Sequence, residues 1–126
     1  MDAIVPIVES FVAAEFDNIP LDAVAASKKS VLDTLASMIA GAGAAGCPEI
    51  VNQVMEWGGR EESTIVNYRG RVPSFLAALV NGMMARAVDL DDVYEPGTVH
   101  ASASVVPAAF AVAEMLGMVD GRRFLT

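Results

Sequence analysis

The stretch DLDDVYEPGTVH, residues 89–100, holds the residues best suited to chemistry. Asp89, Asp91, Asp92 and Glu95 fall within seven positions, and His100, the only histidine, follows five residues later. An imidazole changes charge near neutral pH. A carboxylate set among apolar groups has an altered proton affinity, which suits an acid or a base. His100 also precedes an apolar segment that reads as a buried helix, and the free N–H groups and dipole at such a start favour an anion. Together these groups suit the movement of a proton next to a substrate carboxylate.

Each residue also has a plainer reading. Acids at a helix end commonly cap the next turn or solvate a loop, and Asp91, Asp92 and Glu95 are expected mainly to solvate and shape the turn. A lone loop histidine is often structural. Arg86 and Asp89 stand at i,i+3 and can simply pair. Ser102 and Ser104 read as caps rather than nucleophiles, because no G-x-S-x-G elbow surrounds them. A magnesium site is an alternative, with DLDD and Glu95 as oxygen ligands for a diphosphate, but no second acidic cluster faces them. Zinc is weaker, with one histidine and one cysteine far apart. GAGAAG follows no strand and lacks the lysine of a phosphate loop. No metal and no cofactor is expected.

The elements that must position these residues read as helices. Residues 2–16 suggest a first helix with Asp2 as cap and Pro6 near its first turn. The second, about 22–40, carries Val24, Val31, Leu35 and Met38 at helical steps, with Leu32 and Ile39 beside them. GAGAAG ends it with residues that tolerate a left-handed backbone. A third helix starts at Pro48 and ends at WGG, with Ile50, Val51, Val54 and Trp57 on its apolar side. STIVNYRGRVP predicts a short hairpin near residues 63–73. The fourth helix, about 74–89, is apolar or small on every face and is expected to be buried all round, with Asp89 turned toward Ala78, Gly82 and Ala85. The fifth, about 105–116, takes Ser104 as its cap and Pro107 in its first turn. Asp120 opens one last helical turn. The expected fold is all-α: a compact bundle of about five helices, one domain over residues 1–126.

Composition narrows the function. Eight Lys and Arg against sixteen Asp and Glu leave a net charge of −8, which argues against nucleic acid or an anionic membrane as partner. Hydrophobic residues make up 54% of the chain, enough for a real core. The one cysteine, Cys47, excludes an internal disulfide and fits a reducing cytoplasm. The N-terminus lacks a basic region before its apolar run, and Glu9 interrupts that run, so no signal peptide is expected. No stretch is long enough to span a membrane.

Three blocks, SKKSVLDTLASMIAG, LAALVNGMMARAVDLDD and HASASVVPAAFAVAEMLG, resemble in order and spacing the MmgE/PrpD family, which includes 2-methylcitrate dehydratases and cis-aconitate decarboxylases. The resemblance runs nearly end to end, but family members are much longer. It implies that this chain is the first part of their large helical domain, with the smaller α+β lid domain absent. It further implies a portion or subunit of a cofactor-independent lyase or isomerase acting on a small di- or tricarboxylate. Asp89 and His100 would be the catalytic residues. Arg86, Ser102 and Ser104 would bind substrate, through the arginine charge and the N–H groups around the serines. A protein partner or a homo-oligomer would supply the missing half of the site, and the chain alone would be inactive. Differences from the family pattern at Arg86, Val93 and Ala101 motivate an alternative, a non-catalytic helical interaction subunit.

Overall fold

A computed structural model describes residues 2–126. Among them run six α-helices and one small antiparallel sheet: α1 (Ile4–Val12), α2 (Leu21–Gly41), α3 (Cys47–Trp57), β1 (Ser63–Thr64), β2 (Arg71–Val72), α4 (Ser74–Arg86), α5 (Ser102–Leu116) and α6 (Gly121–Leu125). Short 3-10 turns lie at Phe16–Asn18 and Glu95–Gly97. The strands pair Ser63 with Val72 and Thr64 with Arg71, which places the hairpin where the sequence predicts it. Among the described residues no helix is long and apolar enough to cross a membrane.

The centre of the molecule is α4, packed against both α2 and α5. Met38, Val51, Val54, Ile65, Val80 and Met84 are sealed from solvent and join α2, α3, the hairpin and α4 in one core. Each such aliphatic side chain stabilises the fold by about 1.5–3 kcal/mol relative to exposure. Two glycines let the helices approach closely. A Cβ on Gly41 would lie 1.9 Å from the Met84 carbonyl oxygen, and one on Gly82 would lie 3.1 Å from the Ala103 oxygen. Ala103 O is also the carbonyl that loses its usual N–H donor to Pro107, which sits inside α5.

Several expectations are corrected. Within GAGAAG only Gly46 adopts the left-handed backbone, at φ 90°; Gly41 is needed for the α2–α4 approach instead. α4 is not buried all round: Phe75, Leu79 and Met83 form an exposed stripe. Leu32, Ile39 and Trp57 are exposed as well. These positions satisfy helical periodicity, yet the neighbouring helices cover only the faces bearing the other members of the pattern. α5 begins at Ser102 rather than Val105, so Ser104 lies inside it and caps nothing. The Ser104 and Val105 N–H groups already bond back to Ala101 O, which starts the helix one turn earlier.

Polar groups tie the hairpin to this core. Buried Asn81 on α4 accepts from the Val66 N–H and donates to the Thr64 carbonyl, both at 2.9 Å. Ser63 donates to Ala111 O of α5 at 2.7 Å. The Tyr68 hydroxyl donates to Ala42 O at 2.6 Å, just beyond α2. At the far end Asp120 caps α6 by accepting from the Arg123 N–H at 2.9 Å. Arg122 of α6 pairs with Asp17 and stacks 4.5 Å over the Phe16 ring.

Gly41→Ala is expected to lower the unfolding free energy by about 2–3 kcal/mol, because the methyl would overlap a backbone oxygen that has no room to yield. Gly43→Ala, with open space around it, should stay within about 0.5 kcal/mol of the parent. Urea unfolding of both variants checks the contrast. Asn81→Ala leaves a donor and an acceptor unpaired beneath the hairpin and should cost about 2 kcal/mol or more by the same measurement.

Candidate active site

The acidic segment leaves α4 at Arg86 and reaches α5 at Ser102. Asp89 ends the helical path. Its backbone is left-handed, φ 56°, a conformation that a short polar side chain tolerates better than most. A helical wheel carried on to Asp89 therefore misplaces it: the side chain is 76% exposed and pairs with Arg86, rather than facing Ala78, Gly82 and Ala85. The small face of α4 receives the backbone of α5 at Gly82 instead.

Asp91 is the carboxylate that goes inside. Its side chain is 0% exposed, with Oδ1 3.1 Å from Arg86 Nη1 and Oδ2 3.3 Å from His100 Nδ1. This overturns the expectation that Asp91 only solvates the turn. Burial of a charge costs heavily unless it is paired, and here a guanidinium and an imidazole flank the two oxygens. Asp92 is exposed and accepts from the Ser102 hydroxyl at 2.9 Å. The Ser30 and Ser102 hydroxyl oxygens lie 2.6 Å apart. A hydroxyl has one proton, so Ser30 donates to Ser102 while Ser102 donates to Asp92. That chain joins α2, the acidic segment and α5. Glu95 caps no helix among the described residues and lies in the short turn that Tyr94 and Val99 close by a bridge. The bridge delivers His100 to the start of α5.

Arg86, His100 and Ser104 line one open cavity of about 540 Å³, together with Ala78, Leu79, Gly82, Met83 and Ala103. His100 is 29% exposed at its side chain. Ser102 is buried, its hydroxyl engaged as described. Its N–H and that of Ala103 have no acceptor among the described residues, as first-turn donors do not. Asp89 and His100 are thus linked through Arg86 and Asp91 rather than by direct contact. No group of three or more His, Cys, Asp and Glu side chains able to hold a metal is found among the described residues.

What sequence reasoning missed was Asp91 as the partner of His100, and Ser30 as the anchor of Ser102. Ser30 stands 72 positions away from Ser102, and no local pattern announces such a pairing. For Asp91 the one available signal was its membership of the acidic run that precedes the only histidine in a chain poor in cations. Cys47 is buried, and burial together with Glu49 pushes its thiol up, so it is inert.

The Arg86 guanidinium beside Asp89 holds that carboxyl below its ordinary value, partial desolvation opposes this, and His100 adds a smaller pull in the same direction as Arg86. A carboxyl depressed on folding contributes stability above its ordinary value of 3.8 and loses it as pH falls through the lower folded-state value. Asp89→Asn is expected to flatten the acid limb of the thermal midpoint against pH. Solvent screening keeps the change small. An unaltered acid limb would contradict the pairing.

Comparison with known proteins shows the family. A family model described as the MmgE/PrpD N-terminal domain matches residues 7–126. A cis-aconitate decarboxylase of Aspergillus terreus is 28% identical over 100 residues, covering 79% of this chain and 20% of that protein. The cis-aconitate decarboxylase of Mus musculus is 30% identical over 94 residues, 74% of this chain and 19% of its own length. A cis-aconitate decarboxylase-like protein of Aspergillus oryzae is 26% identical over 98 residues, 78% of this chain and 20% of its own. The chain spans about a fifth of the length of these curated relatives. With the family model matching nearly the whole chain, the chain belongs to the MmgE/PrpD family.

Proposed function

We propose that this chain is a portion or subunit of a cofactor-independent lyase or isomerase, of the dehydratase, decarboxylase or epimerase type, acting on a small di- or tricarboxylate. The observation that carries this reading is the open cavity lined by Arg86, His100 and the first turn of α5 at Ala103 and Ser104, where the Ala103 N–H has no acceptor among the described residues. In this reading His100 transfers a proton. Asp89 fixes Arg86 from the solvent side and tunes the field at the site. Arg86 presents its Nε and Nη2 donors to a substrate carboxylate, since the recorded pairs with Asp89 and Asp91 use Nη1. Ser104 lines the cavity, and Ala103 beside it offers its N–H to the anion, while Ser102 lines a separate cavity and ties the helix start to Asp92. The relatives' printed activity makes cis-aconitate the first substrate to try.

A tricarboxylate needs several positive partners, and Arg86 already faces two carboxylates of its own. The chain therefore acts with a partner chain or a second copy that supplies further cations. Exposed apolar residues support such a contact: α1 buries none of its residues, and Phe75, Leu79 and Met83 on α4 lie open beside the cavity. Large exposed apolar areas on a folded chain mark binding surfaces. A single buried free thiol suits a reducing cytoplasm. The same exposed faces support a second reading, a non-catalytic interaction subunit, in which the cavity is inherited and idle.

In the native complex purified from its source, His100→Ala and Asp89→Asn are each expected to abolish most turnover of cis-aconitate or a related tricarboxylate, on the scale of the ~10²–10⁴-fold that proton transfer contributes. Circular dichroism should show the fold retained. Unchanged turnover in both variants removes the catalytic assignment and leaves the interaction subunit. Full turnover by the 126-residue chain alone would refute the need for a partner.

A further inference from the structure

The geometry points to Asp91 as a positioning residue that fixes which nitrogen of His100 carries the proton, an inference resting on the reading of His100 as the proton-transferring group. Asp91 Oδ2 and His100 Nδ1 lie 3.3 Å apart. Both atoms are sealed from solvent, and neither has a hydrogen-bond partner among the described residues. Each is the other's available partner. Leaving both unpaired would cost the desolvation of two polar groups.

The chemistry of the pair then leaves one arrangement. An ionised carboxylate only accepts hydrogen bonds. A bare Nδ1 would set its lone pair against that oxygen, so Nδ1 carries the proton. A neutral imidazole has one N–H, so Nε2 keeps its lone pair and is the nitrogen able to take a proton. Arg86 completes the device from the other side. Its Nη1, 3.1 Å from Oδ1, supplies the positive charge that lets the buried carboxylate remain an anion. Asp91 thus turns His100 into an acceptor at the cavity, and the proton it removes from substrate ends on Nε2. Asp91 touches no substrate and acts only through the ring.

His100 is the only histidine in the chain, so nitrogen-15 NMR of the full 126-residue chain reports one imidazole without assignment. At about pH 8.5, above the ordinary histidine range, the Nδ1–H tautomer is expected to dominate. In Asp91→Asn the Nδ1–H form should fall to the minority, because the amide can donate to a bare Nδ1. A wild-type ring mainly in the Nε2–H form overturns the inference, and that result needs no variant to fold. An Asp91→Asn ring still mainly Nδ1–H, in a chain with a native thermal transition, overturns it too. The tautomer needs no substrate, so it separates this inference from the functional reading: an Nδ1–H ring with full turnover in His100→Ala sinks only the latter. If both hold, Asp91→Asn in the native complex lowers kcat at least tenfold with KM little changed.

Discussion

The approach of three long helices at two glycines governs much of the rest of this molecule. Gly41 lets the backbone of α2 reach the Met84 carbonyl, and Gly82 lets α5 reach α4. With helices that close, the end of α4 and the start of α5 come to lie side by side, although fifteen residues separate Arg86 from Ser102. Those residues cannot run as another packed element; they form a short looped excursion. The polar groups of the loop are then pressed against two helix ends, and this is where the candidate site arises.

Burial of Asp91 follows from that confinement. A carboxylate without solvent must find positive or hydrogen-bonding partners, and the loop meets two: the guanidinium at the end of α4 and the imidazole just before α5. Asp92 is satisfied differently, through Ser102 and onward to Ser30 on α2. The acidic run thus works as a set of separate ties rather than as one cluster. Asp89 and Asp91 share Arg86, Asp91 also faces His100, and Asp92 takes Ser102; among the described residues no three acidic, histidine or cysteine side chains gather around a common point as ligands of a metal would.

The distribution of apolar surface points outward as well as inward. The side of α4 facing α2 and the hairpin is sealed, whereas its Phe75, Leu79 and Met83 stripe and nearly all of α1 face solvent. A chain with 54% hydrophobic residues that leaves this much of them exposed presents faces suited to another protein surface. The open cavity lies on the same side of α4 as the stripe, so the surface suited to a partner and the site are continuous.

Much of the architecture was legible in the sequence because it rests on local rules. Helical periodicity located the second, third and fourth helices, β-branched residues and turn residues located the hairpin, and the Asp120 cap marked the last turn. Three blocks in order pointed to the family. The charged segment between two apolar helices, where the candidate site is proposed, was legible too. What only the tertiary structure decided is which carboxylate turns inward. Periodicity extended three residues too far makes Asp89 the inner acid, but the helix stops at Arg86 and a left-handed Asp89 faces solvent. The choice of Asp91 depends on where α5 begins and how near Gly82 lets it come, and those are contacts between distant segments that no local pattern encodes.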